Sequence, residues 1–296
     1  MTKTVAIWFF AFVSFLAFIS FPAIAQTPTT PTPTPIATPA QTVSPTPPIN
    51  LEKHFVKNII RDQAVIWTTH FRLDKGDTRW LLPFTLGTAA LVATDPHTSA
   101  WIDRNGGLPV FSHDVSWAGK AYVTGGVAAA FYLAGRATHN YRARETGILA
   151  AQALIDTGIV TEVLKLSTQR LRPNAENGTA EFWDGGSSFP SGHSSTVWSV
   201  ATVIAYEYKD NPWIRYGAFA AATAVSLSRY SGRNHFLSDI VVGSAIGFGI
   251  GRHVFRTYHV DNPSPTGKPT TKLMPTFLPY YDGRTRTYGG SLVWRL

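Results

Sequence analysis

The chain has 296 residues, 44% hydrophobic and 15% charged, enough for one sizeable core and too little for a second large domain. A formal net charge of +8 suits acidic partners such as phosphorylated substrates or anionic lipid surfaces. The absence of cysteine excludes disulfides, thiol catalysis and thiolate metal sites, and dispersed Lys and Arg without a recognisable motif argue against nucleic acid.

At the N-terminus, Lys3 precedes an apolar run from Val5 to Ile19, and Ala23-Ile24-Ala25 offers small residues for cleavage before Gln26. Residues 1–25 therefore read as a secretory signal, which predicts an exported, periplasmic or extracytoplasmic protein. The rival reading is an uncleaved segment that tethers the chain to the membrane, because the apolar run is long for a signal. Residues 26–50 hold eight Pro and eight Thr and no charge, so they read as an extended linker.

From residue 51 to about 260 the pattern is helical. Helices are predicted over Leu51–Phe71, Leu81–Val92, Trp117–Leu133, Thr146–Leu171, Ser194–Tyr208, Trp213–Ser228 and Phe236–Tyr258. Breakers separate them at Asp95-Pro96, Asn105-Gly106-Gly107, Arg172-Pro173, Asn211-Pro212 and Ser231-Gly232. The expectation is an all-α, multi-helix bundle of about six or seven helices. Charges interrupt every apolar segment after the N-terminus, Asp156 and Glu162 among them, so no further membrane span is predicted and a soluble or peripheral domain is favoured. Gly243, Gly247 and Gly251 form a small-residue stripe that reads as close helix packing. Residues 261–296 read as a Pro-containing basic tail.

Three groups of residues carry chemistry. Phe189-Pro190-Ser191-Gly192-His193-Ser194-Ser195 is a turn opening into a helix, whose unpaired N–H groups suit an anion. Upstream stand Lys165, six residues, then Arg172-Pro173; on one continuous helix, positions seven apart share a face, so the two cations converge. Downstream stand Ser228-Arg229, five residues, His235, three residues, Asp239, with the last two one helical turn apart.

Together these blocks resemble the complete three-part signature of the type 2 phosphatidic acid phosphatase (PAP2) superfamily, which includes class A acid phosphatases and vanadium haloperoxidases. The resemblance covers roughly residues 52–256. It implies the helix bundle of that group and a phosphatase acting on phosphate monoesters or diphosphates: a lipid phosphate, an isoprenyl diphosphate or a small ester. His235 would attack phosphorus and form a phosphohistidine, Asp239 would hold the other ring nitrogen's proton, and His193 would protonate the leaving alkoxide and later activate water. Lys165, Arg172, Ser191, Gly192 and Arg229 would bind the phosphoryl oxygens. No metal or cofactor is implied, since cationic side chains take that role.

The other readings are a vanadium-dependent haloperoxidase, since vanadate mimics phosphate, and a non-catalytic phospholipid-binding module. The compact spacing from Lys165 to Asp239 and the intact histidine pair favour the phosphatase. His54, His70, His97, His113, His139, His253 and His259 match no motif and read as structural, whereas Glu162, one turn before Lys165, is placed either to pair with it or to face solvent. Glu181 and Asp184, in the loop entering the site, are candidates for tuning selectivity. The substrate and the oligomeric state are not fixed by the sequence.

Overall fold

The computed structural model describes residues 51–68, 75–104, 115, 117–175, 179–259, 276–282 and 287–293. The predicted signal and linker lie outside them. The chain divides into one unit ending at His259 and a second, Val260–Leu296.

The first unit contains seven described helices: α1 Leu51–Thr68, α2 Lys75–Arg104, α3 Ala121–Ala137, α4 Tyr141–Thr168, α5 Gly192–Glu207, α6 Pro212–Ser231 and α7 Leu237–Tyr258. Their starts follow ordinary capping chemistry. The Asn140 side chain accepts from the Ala143 N–H at α4, and Asn211 accepts from Trp213 and Ile214 at α6, where Pro212 supplies a pre-set first turn. The all-α expectation for this unit is met.

The core is centred on α4, α5 and α7. Leu149, Val160 and Leu164 of α4 join Val200 and Val203 of α5 and Val242, Ile246, Ile250 and Val254 of α7, all buried. The glycine stripe explains how α5 and α7 come so close. A Cβ on Gly243, Gly247 or Gly251 would stand 2.6, 2.1 and 2.6 Å from the carbonyl oxygens of Ser191, Ser195 and Ser199. Only hydrogen fits there. Toward the other end, a buried polar network ties α1, α4 and α7: the Asp62 carboxylate accepts from Gln152 and Tyr258 and meets His253, while Gln63 donates to Asp156.

Three local features differ from the sequence-based expectation. α2 runs through Pro83 and Pro96 rather than stopping near Val92. Proline ordinarily breaks a helix, but the buried residues Asp95 and Ser99 anchor this stretch, with Asp95 bonded to Ser238 and Arg170. α4 stops at Thr168, three residues short, because Gln169 takes a left-handed conformation with φ of 47°. Finally, α4 is long and apolar enough to cross a membrane by length and composition. Asp156 does not interrupt it, being buried and bonded to Gln63, and most of its apolar window is inside the bundle, as in a core helix.

In the second unit, β1 Thr276–Asp282 and β2 Thr287–Val293 pair antiparallel, with Thr276 opposite Val293 and Asp282 opposite Thr287. The sequence reading of residues 261–296 as a Pro-containing tail did not indicate this hairpin. Pro279 is tolerated because each strand of a two-stranded sheet is an edge.

Candidate active site

The ends of four helices meet the turn that precedes α5. Ser191 caps α5: its hydroxyl accepts from the Ser194 N–H at 3.5 Å, and its own N–H donates to the Asp239 carbonyl at 3.0 Å. That bond locks the start of α5 to the start of α7. The Phe189–Pro190 peptide in the turn is cis. Gly192 opens the helix, and the Lys165 ammonium lies 3.0 Å from where a Gly192 Cβ would stand. Lys165 also donates to Glu162 at 2.6 Å, the pairing expected from their spacing.

Arg172 arrives by a route the sequence did not indicate. Helix α4 ends before it, so the seven-residue repeat along a helix face does not place it. The left-handed Gln169 turns the chain, and the Gln169 carbonyl holds the returning loop through the Asp184 and Gly186 N–H groups. Arg172 then donates to the Ser187 hydroxyl at 3.4 Å. In that same loop Glu181 and Asp184 are exposed. Arg229 sits on the last turn of α6, only 8% exposed, and its carbonyl accepts the N–H groups of Asn234 and His235. The tight return of residues 232–234 thus carries His235 back toward the arginine.

The charges of these groups act on one another. His193 is held down to about 3 by burial first, then by Arg229, His235, Lys165 and Arg172. Arg229 is pulled down to about 10 by burial and by Arg172. His193 is therefore neutral near pH 7, and a phosphate dianion, by cancelling those cations, favours its protonation. Gly119, in the turn before α3, closes one side: a Cβ there would meet His193 at 3.1 Å.

His235 is 2% exposed, and burial lowers its pKa despite the opposing pull of Asp239, so its ring is neutral. The expected hydrogen bond to Asp239 is long: Nδ1 lies 3.6 Å from Asp239 Oδ2 but 2.8 Å from the Ser188 carbonyl oxygen. The Nδ1 proton therefore goes to Ser188, which leaves Nε2 as the free lone pair. Asp239 acts on the ring at one remove, by charge. Its own carboxylate caps α7 through the Phe236 N–H at 2.9 Å and accepts from the Ser188 hydroxyl at 2.5 Å and from Arg170 at 2.6 Å. Burial alone would raise this carboxyl; Arg170, His235 and Ser188 outweigh it and keep it ionised.

The comparisons with known proteins bear on this geometry. The family model described as PAP2 superfamily matches residues 146–263. The match encloses every site residue from Lys165 to Asp239. The chain is 33% identical over 104 residues to a lipid A 1-phosphatase of Porphyromonas gingivalis, covering 35% of this chain and 22% of that protein. It is 30% identical over 143 residues to a PA-phosphatase related-family protein of Dictyostelium discoideum, covering 42% of this chain and 52% of that one. The chain thus spans about a fifth and about half of these relatives. Among solved structures, a transmembrane PAP2 type phosphatidylglycerolphosphate phosphatase from Bacillus subtilis aligns with a TM-score of 0.48 at 20% identity, over 71% of this chain and 98% of that one. Aquifex aeolicus LpxE aligns at 0.38 and 22% identity, over 50% of this chain and 86% of that one.

Within the PAP2 segment, two residues escaped sequence reasoning. Ser188 supplies both the carbonyl for His235 and a hydroxyl for Asp239. Arg170 is fully buried and bonds Asp239, Ser238 and the Ala180 carbonyl, with its guanidinium packed against Phe182 and Phe236. Its counter-ion Asp95, at 2.8 Å, lies on α2 outside the PAP2 match. Arg170 stands between the two signature cations and offered no signal of its own. Asp95 had been read only as part of a helix-breaking Asp-Pro pair.

Proposed function

We propose that the protein is a metal-independent PAP2-type phosphatase that hydrolyses a phosphate monoester or diphosphate through a phosphohistidine. The observation that carries this reading is geometric: the Lys165 ammonium stands against Gly192 at the opening of α5, and the bond from His235 Nδ1 to the Ser188 carbonyl at 2.8 Å leaves Nε2 free. Three cations gathered around a half-buried neutral histidine suit an anion. Nε2 of His235 attacks phosphorus as the bond to the leaving oxygen breaks, and that oxygen takes a proton from His193, protonated once the dianion is bound. The positive charge formed on His235 is balanced by Asp239 while Nδ1–H stays on the Ser188 carbonyl. Lys165, Arg172 and Arg229, with the Ser191 hydroxyl and the N–H groups opening α5, take the charge on the phosphoryl oxygens. In the second half, His193 accepts a proton from water, the hydroxide oxygen attacks phosphorus, the P–N bond breaks and inorganic phosphate leaves.

A lipid phosphate is the favoured substrate class. Large apolar side chains stand exposed on three helices: Leu82 and Leu86 on α2, Tyr122, Val127 and Leu133 on α3, and Trp213 and Tyr216 on α6. Such faces suit peripheral contact with a lipid surface, and the relative named above as a lipid A 1-phosphatase points the same way. Export through the Lys3–Ala25 signal is part of the proposal.

The test is phosphate release by the purified full chain from phosphatidic acid, undecaprenyl diphosphate and p-nitrophenyl phosphate. Release is expected to persist in EDTA, to be inhibited by vanadate and to be greatest with a lipid. No release from any substrate, or release that requires added magnesium or zinc, contradicts the reading. Vanadate-dependent bromide oxidation by peroxide would replace it with a haloperoxidase.

A further inference from the structure

We propose a divalent-cation site formed by Glu145, Glu207 and His259 at the end of the bundle remote from the phosphate-binding residues. Each offers one ligand atom, and the three atoms lie within 4.8 Å of one another. They come from three elements. Glu145 is on the second turn of α4, Glu207 is the last residue of α5, and His259 caps α7. With a rise of about 1.5 Å per residue, Glu145 lies about 30 Å along α4 from Lys165, so the two sites are separate.

The spacing fits a metal. His259 Nδ1 is 3.1 Å from Glu145 Oε1 and 3.3 Å from Glu207 Oε2. Ligands about 2.0–2.1 Å from a tetrahedral zinc ion stand about 3.3 Å from each other. One Nδ1 hydrogen cannot serve both carboxylates, and Glu207 Oε2 is buried without a hydrogen-bond donor. The nearby Arg142 does not supply one, since its side chain reaches the Glu207 backbone carbonyl and Asp210, with Nε 3.8 Å from the other oxygen, Oε1. Glu145 and Glu207 are 2% and 5% exposed, whereas the His259 side chain is 20% open and gives an ion a way in. With the Nδ1 proton displaced by the ion, two carboxylates and the imidazole carry two negative charges, matching a divalent ion, and the mixed nitrogen and oxygen set suits zinc or manganese better than calcium. Bound there, the ion clips the ends of α4, α5 and α7 together.

Zinc is the probe. Untagged full chain, stripped with EDTA and dialysed, is titrated calorimetrically while thermal unfolding is followed. One equivalent of zinc should bind, and at a hundredfold excess over Kd the melting temperature should rise by about 5 °C or more. Glu207→Gln and His259→Ala should each weaken binding by more than about tenfold, the effect that loss of a mere outer-shell partner reaches. Should Glu207→Gln fail to fold, the more exposed His259 still provides the test. No zinc bound by the folded wild type, or unchanged binding in His259→Ala, overturns the site and leaves a protonated His259 bridging two glutamates. Phosphate release at the opposite end is measured separately, so either proposal can fail without the other.

Discussion

The Asp239 carboxylate is divided among three donors: the Phe236 N–H, the Ser188 hydroxyl and Arg170. The last of these is held in turn by Asp95 at 2.8 Å. Arg170 is thus a positioning residue: it fixes the charge that steadies His235 without reaching the phosphate-binding space. A fork of guanidinium N–H groups spans Asp239, Ser238 and Asp95 at once, which an ammonium cannot do. Arg170→Lys should therefore lower kcat by about 10- to 100-fold with KM little changed, by analogy with loss of a partner that orients a metal ligand. The pH profile of kcat/KM should shift as well, since the charge beside His235 is no longer fixed. A loss of activity that merely tracks the unfolded fraction, with the pH profile unmoved, would reduce Arg170 to a structural role.

The helices that carry the site were legible in outline because apolar spacing and breakers in this chain are regular. Where the outline erred, a tertiary contact had outweighed a local preference. Pro96 sits inside α2 because Asp95 is bonded to Arg170 and Ser238 across the bundle, and no pattern around residue 95 encodes those partners. Arg172 meets the other cations through a left-handed Gln169, a conformation that glutamine does not advertise. The glycine stripe, by contrast, is local and was read correctly as close packing. Gly247→Ala should cost about 1–3 kcal/mol in urea unfolding, because its Cβ would stand 2.1 Å from the Ser195 carbonyl oxygen on α5. Gly158→Ala is the control on α4, where nothing lies within 4 Å. There the substitution should be neutral or stabilise by about 0.5–1 kcal/mol. Equal effects at both positions would contradict close packing of α5 on α7.

Across the whole molecule, the site draws on segments far apart in the chain: the turn at Gly119, the end of α4, the turn before α5, the end of α6 and the start of α7. The signature spacing made Lys165, Arg172, Ser191, Gly192, His193, Arg229, His235 and Asp239 recognisable because phosphate binding requires particular residue types. Ser188 acts partly through its backbone, and Asp95 through a partner 75 residues away, so neither left a comparable mark. The central claim is that His235 becomes covalently phosphorylated. It is tested most directly by rapid alkaline quench of the enzyme during turnover, followed by mass spectrometry of the peptide containing residue 235. A phosphoryl group on His235 is expected, accumulating in His193→Ala with p-nitrophenyl phosphate, whose leaving group departs without an acid while water is no longer activated, and missing in His235→Ala, which should remain folded but inactive. Turnover by His235→Ala at more than a few per cent of the wild-type rate, or phosphate trapped on another residue, would contradict it.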